Sequence, residues 1–262
     1  MGVRSQKGRQ GRIRIIEGGF TVIEVILFLA ITGLLAFSLL GGWTAMINTQ
    51  RYKDSVKTVQ SFLQQQYNLV YNVENVKQAD GGPYCVVNGS GEPEFVATGV
   101  SRGQSNCIQM GRLVNITGGT QIRSYAIVGV DLVSDSTTTD SASIRGRNPI
   151  VVTDGFQLTD NELEVPWQAE VVRRASQGGT RQNVALAIIR SPLTGSVHTY
   201  AVQTDGSTIP DIDSMAVPAN EQEVTLCLDA GTAFSGGRIG VVVRQRASAQ
   251  SFVQTIQDDS TC

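Results

Sequence analysis

Glu24 is a carboxylate at the start of an apolar run, where an ionisable group is costly and needs a partner. No charged side chain follows it from Val25 to Gln50, a stretch of 26 residues. Cys85, Cys107, Cys227 and Cys262 are even in number, form no Cys-x-x-Cys pair and all lie beyond that run. In an oxidising compartment they predict two disulfides with three possible connectivities, and sequence proximity favours Cys85–Cys107 with Cys227–Cys262. His198 is the one histidine, which excludes His-rich zinc and two-His iron sites. A Ser-His-Asp triad would have to use it. Its setting, Val197-His198-Thr199-Tyr200, instead reads as a strand with a partly exposed histidine and no nucleophile motif nearby. Asp211, Asp213 and Glu221 invite a calcium reading, but the spacing lacks the third ligand and the glycine of an EF-hand. A surface acidic loop is the expectation there, with no metal and no cofactor assigned. Arg238, Arg244 and Arg246 are three basic residues close in sequence, and Arg244 and Arg246 share a face if the segment is a strand. Solvated charges on an acidic domain are the favoured reading of the three.

Positioning these groups requires a long helix and a sheet. Val56, Val59, Leu63, Tyr67, Val70 and Val73 recur at intervals of three or four, which makes one apolar stripe. A single helix is expected from about Thr21 to about Lys77, apolar all round over about 20–46 and amphipathic over about 52–78. Asp80-Gly81-Gly82-Pro83 ends it. Strands are predicted over residues 84–87, 107–114, 122–133, 165–172, 184–189, 198–202, 224–228 and 239–243. Residues 134–143, SDSTTTDSAS, read as an exposed polar loop. The fold class is therefore α+β: a long N-terminal helix packed on an antiparallel β-sheet head, residues 81–262.

Composition narrows the function. Hydrophobic content of 41% with 17% charged residues excludes a disordered chain. A formal charge of −2 excludes a dedicated nucleic-acid packer. The charge is uneven: residues 1–19 carry five basic side chains and one acidic one, and the remainder, 16 basic against 22 acidic, stands at −6. Basic residues ahead of an apolar span place that end in the cytoplasm and the head outside. A secretory signal has a shorter apolar core and a small-residue cleavage site, which Leu39-Leu40-Gly41-Gly42-Trp43 does not supply. A plain single-pass anchor explains the span but leaves Glu24 unexplained.

Glu17-Gly18-Gly19-Phe20-Thr21-Val22-Ile23-Glu24-Val25-Ile26 resembles the class III signal of type IV prepilins and pseudopilins. The likeness rests on the basic leader, Gly19, Phe20, Thr21, Ile23, Glu24 and the apolar run, and covers residues 1 to about 80. It implies cleavage between Gly19 and Phe20 by a prepilin peptidase, then N-methylation of Phe20. It also implies a pilin-like fold and retention of the helix, first in inner-membrane lipid and then in a pilus or periplasmic filament. Partners implied are other pilin or pseudopilin subunits and the inner-membrane assembly platform; since some minor pilins take up DNA through basic C-terminal residues, Arg238, Arg244 and Arg246 are candidate DNA contacts, a less favoured reading. In such a fibre the Phe20 amine of one subunit meets Glu24 of another and sets the stagger. A head of this size leans towards a minor pilin or pseudopilin. The expected role is structural, not catalytic; a membrane-anchored binding domain that forms no fibre is the alternative.

Overall fold

The computed structural model describes residues 19–72, 84–96, 106–131, 136–153, 161–174, 180–231, 237–247, 252–256 and 262. The chain divides into two compact units, Met1–Met46 and Ile47–Cys262. Helix α1 spans Val22–Tyr71 and is helical through Gly33, Gly41 and Gly42. The expected end near Lys77, Val73 of the stripe and the stop at Asp80–Pro83 lie outside the described residues. The leader, residues 1–18, lies outside them as well.

Every strand pairing is antiparallel among the described residues, and the head is built from three sheets rather than one. The small one pairs β1 (Tyr84–Val87) with β2 (Pro93–Val96). The large one joins β3 (Cys107–Thr117), β4 (Gln121–Val130), β5 (Ile150–Val152), β6 (Asn161–Glu164), β8 (Val184–Arg190), β9 (Val197–Gln203) and β12 (Arg246–Ala247). The third has the order β13 (Val253–Ile256), β11 (Ile239–Val243), β10 (Val224–Asp229), β7 (Glu170–Val172).

Strand β8 shows how one sequence serves two layers. Val184, Leu186 and Ile188 join the cluster around α1, while Ala185, Ala187 and Ile189 join a second cluster on the opposite face. A strand buried on both faces reads as a continuous apolar run, as this one does. In the first cluster Tyr52, Val56, Val59, Leu63, Tyr67 and Val70 of α1 pack against β3, β8 and the β10–β11 pair. Each such side chain contributes about 2 kcal/mol through burial. The second cluster is closed by short helices α2 (Asp140–Arg145) and α3 (Ile212–Met215), through Ile144, Ile212 and Met215.

Polar pins fix the α1 seam. The Tyr52 hydroxyl donates to Leu228 C=O at 2.7 Å and accepts from Ile239 N–H at 2.8 Å, bridging a β10–β11 register pair. Gln66 Oε1 accepts from Arg112 Nε at 3.1 Å and from Ser124 Oγ at 2.7 Å, all three side chains being buried. Just past the β3 bulge, which leaves Met110 without a partner in β4, a Cβ on Gly111 would lie 2.2 Å from Ile188 C=O, so only glycine lets β8 approach this closely.

Three expectations change. Residues 165–172 are not one strand: Pro166–Gln168 form a tight turn and only Glu170–Val172 pair, because Pro166 has no N–H for a ladder and Trp167 and Gln168 have positive φ. The polar stretch 134–143 is not loop throughout. Thr139 caps α2, its hydroxyl accepting from Ala142 N–H at 3.3 Å, and Ser143 is buried. His198 lies on a strand as predicted, but it is buried, 1% exposed, because two carboxylates replace water around it.

Candidate functional site

Gly19 and Phe20 precede α1 without regular structure, and Phe20 is exposed. Thr21 starts the helix: its carbonyl accepts from Glu24 N–H at 3.0 Å and Val25 N–H at 3.2 Å, and its hydroxyl lies 3.4 Å from Glu24 N. Thr-x-x-Glu is the pattern of a capping box, a local signal for the start of this helix. Glu24 also suits the positive end of the helix dipole.

Between Val22 and Met46 the large apolar side chains that are described are exposed, Phe28, Leu34, Phe37, Leu40 and Trp43 among them. The helix is long and apolar enough to cross a membrane, and none of its apolar window is buried against protein. Its hydroxyls are satisfied within the helix. Thr32 donates to Phe28 C=O at 2.8 Å, Ser38 to Leu35 C=O at 2.9 Å and Thr44 to Leu40 C=O at 3.1 Å. Such back-bonding removes the cost of a hydroxyl in hydrocarbon. Glu24 is exposed and has no such partner for its carboxylate among the described residues.

The cysteines form Cys85–Cys107 and Cys227–Cys262, with Cα separations of 6.0 and 5.5 Å. The first ties β1 to β3, and the second ties β10 to the chain end beside Val172. Each closed loop contributes about 3–4 kcal/mol in a chain-entropy estimate.

The three arginines form no common basic patch. Arg238 is 2.8 Å from Asp229, Arg244 donates to Gln254 at 3.0 Å, and Arg246 is bidentate on Glu221. The strand expected to carry Arg244 and Arg246 together ends at Val243. The backbone bends at Gln245, and Arg246 belongs to β12 of the other sheet. The carboxylates considered for calcium also separate. Asp211 caps α3 through Ser214 N–H, Asp213 pairs with Arg145 at 3.1 Å, and Glu221 turns inward. Among the described residues no group of acids, histidine or cysteines has the arrangement of a metal site.

An ionic cluster that no local motif announces surrounds His198. Its Nδ1 is 2.8 Å from Glu221 Oε1 and its Nε2 is 3.3 Å from Asp140 Oδ2. Asp140 accepts from Ser191 Oγ and from Thr194 Oγ1, and Tyr200 lies beside the imidazole with its hydroxyl buried and unpartnered. Burial pushes the Asp140 carboxyl up, but the hydroxyls of Ser191 and Thr194, with the charges of His198 and Arg246, bring it below its ordinary value. The Arg246 guanidinium outweighs the burial of Glu221 and holds that carboxyl low too. Burial, reinforced by Glu221 and Asp140, raises the Tyr200 phenol. Ser191 bonds to Asp140 rather than to His198, so the order needed to activate a serine is not made. The cluster clasps α2, the β8–β9 turn, β9, the segment after α3 and β12.

No protein-family model matches the chain, and no curated protein or solved structure matches it.

Proposed function

We propose that this chain is a structural subunit, a minor pilin or pseudopilin, of a type IV pilus or a type II secretion-like filament. The observation that carries the reading is Glu24. It stands as a carboxylate with no hydrogen-bond or ion-pair partner among the described residues, on an apolar stretch of helix whose hydroxyls at Thr32, Ser38 and Thr44 are internally satisfied, four residues after Phe20 of the Gly-Phe boundary. Cleavage between Gly19 and Phe20 by a prepilin peptidase creates an amine at the same end of the helix. One subunit's Phe20 amine then neutralises the next subunit's Glu24, and only one stagger along the fibre satisfies both charges. The exposed apolar side chains of residues 22–46 fit lipid before assembly and neighbouring helices afterwards. The disulfide-bonded β head sits outside the cytoplasm. The inner-membrane assembly platform and the other subunits are its partners, and its work is assembly rather than catalysis.

The test is N-terminal sequencing and intact mass of the protein from host membranes, for the natural chain and for Glu24→Gln. The natural chain is expected to begin at N-methylated Phe20 and to keep its helix. Glu24→Gln is expected to be cut normally but to appear in sheared filaments at least ~10-fold less, the loss of one desolvated charge pair. A chain retaining residues 1–19 beside an active prepilin peptidase overturns the reading in favour of a membrane-anchored binding domain.

A further inference from the structure

Trp167 occupies a backbone conformation that tryptophan rarely adopts. Its φ is 60° and that of Gln168 is 59°, two consecutive left-handed residues that are not glycine. Each costs about 1–2 kcal/mol. The turn is held nonetheless: Ser55 of α1 donates to Pro166 C=O at 2.8 Å, Val165 N–H to Thr120 C=O at 2.8 Å, and Ala169 N–H to Pro166 C=O at 3.3 Å. The strain does not serve burial, since Trp167 remains 54% exposed. It presents the indole face to Arg51, whose guanidinium carbon is 4.8 Å from the ring centroid. A cation over an indole attracts it through the ring quadrupole.

The place of Arg51 in the chain gives this pair a depth. The uncharged segment Val25–Gln50 makes about 39 Å of helix at 1.5 Å per residue, against a hydrocarbon core of about 30 Å. The surplus carries the end of the segment into the headgroup layer, and Arg51 is the first charged residue there. Lys53 and Lys57, with only Asp54 opposed to them, leave this stretch cationic and exposed. Covalent continuity alone fixes Arg51 to the outer edge of the span, and Trp167 is stacked on Arg51.

We infer that Trp167 and Arg51 form a bilayer-interface anchor: the indole lies at headgroup depth, and Arg51 with Lys53 faces lipid phosphates in the membrane-inserted subunit. The inference rests on the reading that α1 enters a membrane, and it applies before any assembly. Tryptophan is suited to this layer, with an apolar body for acyl chains and an N–H for water and phosphate. Cationic side chains add attraction to anionic lipid. The anchor joins Arg51 to a residue 116 positions beyond it in the chain.

The chain has two tryptophans, Trp43 and Trp167, so each can be isolated as a reporter. Full-length Trp43→Phe and Trp167→Phe chains are placed in phosphatidylethanolamine–phosphatidylglycerol vesicles carrying nitroxides either at the headgroup or near the acyl-chain end. Trp167, seen alone in Trp43→Phe, is expected to be quenched severalfold more by the headgroup nitroxide than by the deep one. Its emission is expected to lie to the blue of that of tryptophan free in water. Trp43, eight residues nearer the middle of the apolar run, is expected to answer more strongly to the deep nitroxide. Quenching of Trp43 by lipid with Trp167 open only to aqueous iodide would overturn the anchor and leave the span standing. No lipid quenching of either residue overturns both. Protection of Trp167 that appears only at high protein density also overturns it, assigning the indole to a neighbouring subunit.

Discussion

Glu221 takes hydrogen bonds from both Arg246 and His198, and with Asp140 it is held below the ordinary carboxylate range. The unfolded chain therefore binds protons at these carboxylates at higher pH than the folded chain. The stability they contribute is complete above about pH 4 and is lost as pH falls through the lowered folded values. Glu221→Gln keeps the shape but removes the charge, and is expected to cost about 1–3 kcal/mol near neutral pH. Thermal melts of this variant are expected to change less between about pH 6 and about pH 3 than those of the natural chain. Parallel acid limbs would show that the cluster is not what titrates. The amino-acid order does not announce this cluster, because its partners lie 23, 25 and 51 positions apart and only the fold brings them together. Gly19, Phe20 and Glu24 are legible for the opposite reason, being neighbours on one short stretch.

At the scale of elements, Tyr52 shows what joins helix to sheet. Removing its hydroxyl in Tyr52→Phe leaves Leu228 C=O and Ile239 N–H without their bridge, in a buried seam. Urea unfolding is expected to register a loss of about 1–3 kcal/mol. An unchanged midpoint would mean that the β10–β11 ladder closes on itself. Which elements could be read in advance follows from how they bury their faces. The stripe of α1 and the run of β8 carry patterns that few other structures produce, and β3, β4, β9, β10 and β11 begin and end close to their expected places. β2, β5, β6 and β13 escaped because three or four residues give too short an alternation, and β6, Asn-Glu-Leu-Glu, is nearly all polar. Helix α2 escaped because six residues expose most of their surface and bury chiefly Ile144. Val165 to Val172 misled because its apolar content is real, while Pro166 and the left-handed Trp167 and Gln168 turn the backbone out of the ladder.

At the scale of the molecule, the two compact units divide the work. Among the described residues the side chains of the large core begin at Tyr52, inside the second unit. A chain starting at Ile47 is expected to be soluble without detergent, to melt cooperatively and to keep both disulfides, whereas the full chain requires detergent or lipid. Precipitation of the shortened chain, or loss of a cooperative melt, would show that the first unit contributes to folding of the second. The two-faced burial of β8 has a further consequence, for the time before the head is complete. Val184 to Ile189 is six apolar residues without a charge, the kind of segment that self-associates when its edges are bare. Its neighbour β3 precedes it in the chain, already hairpinned to β4, and β9 follows after the turn at residues 191–196. A chain emerging from its N-terminus thus offers β8 a template made earlier on one side and a cover made soon after on the other.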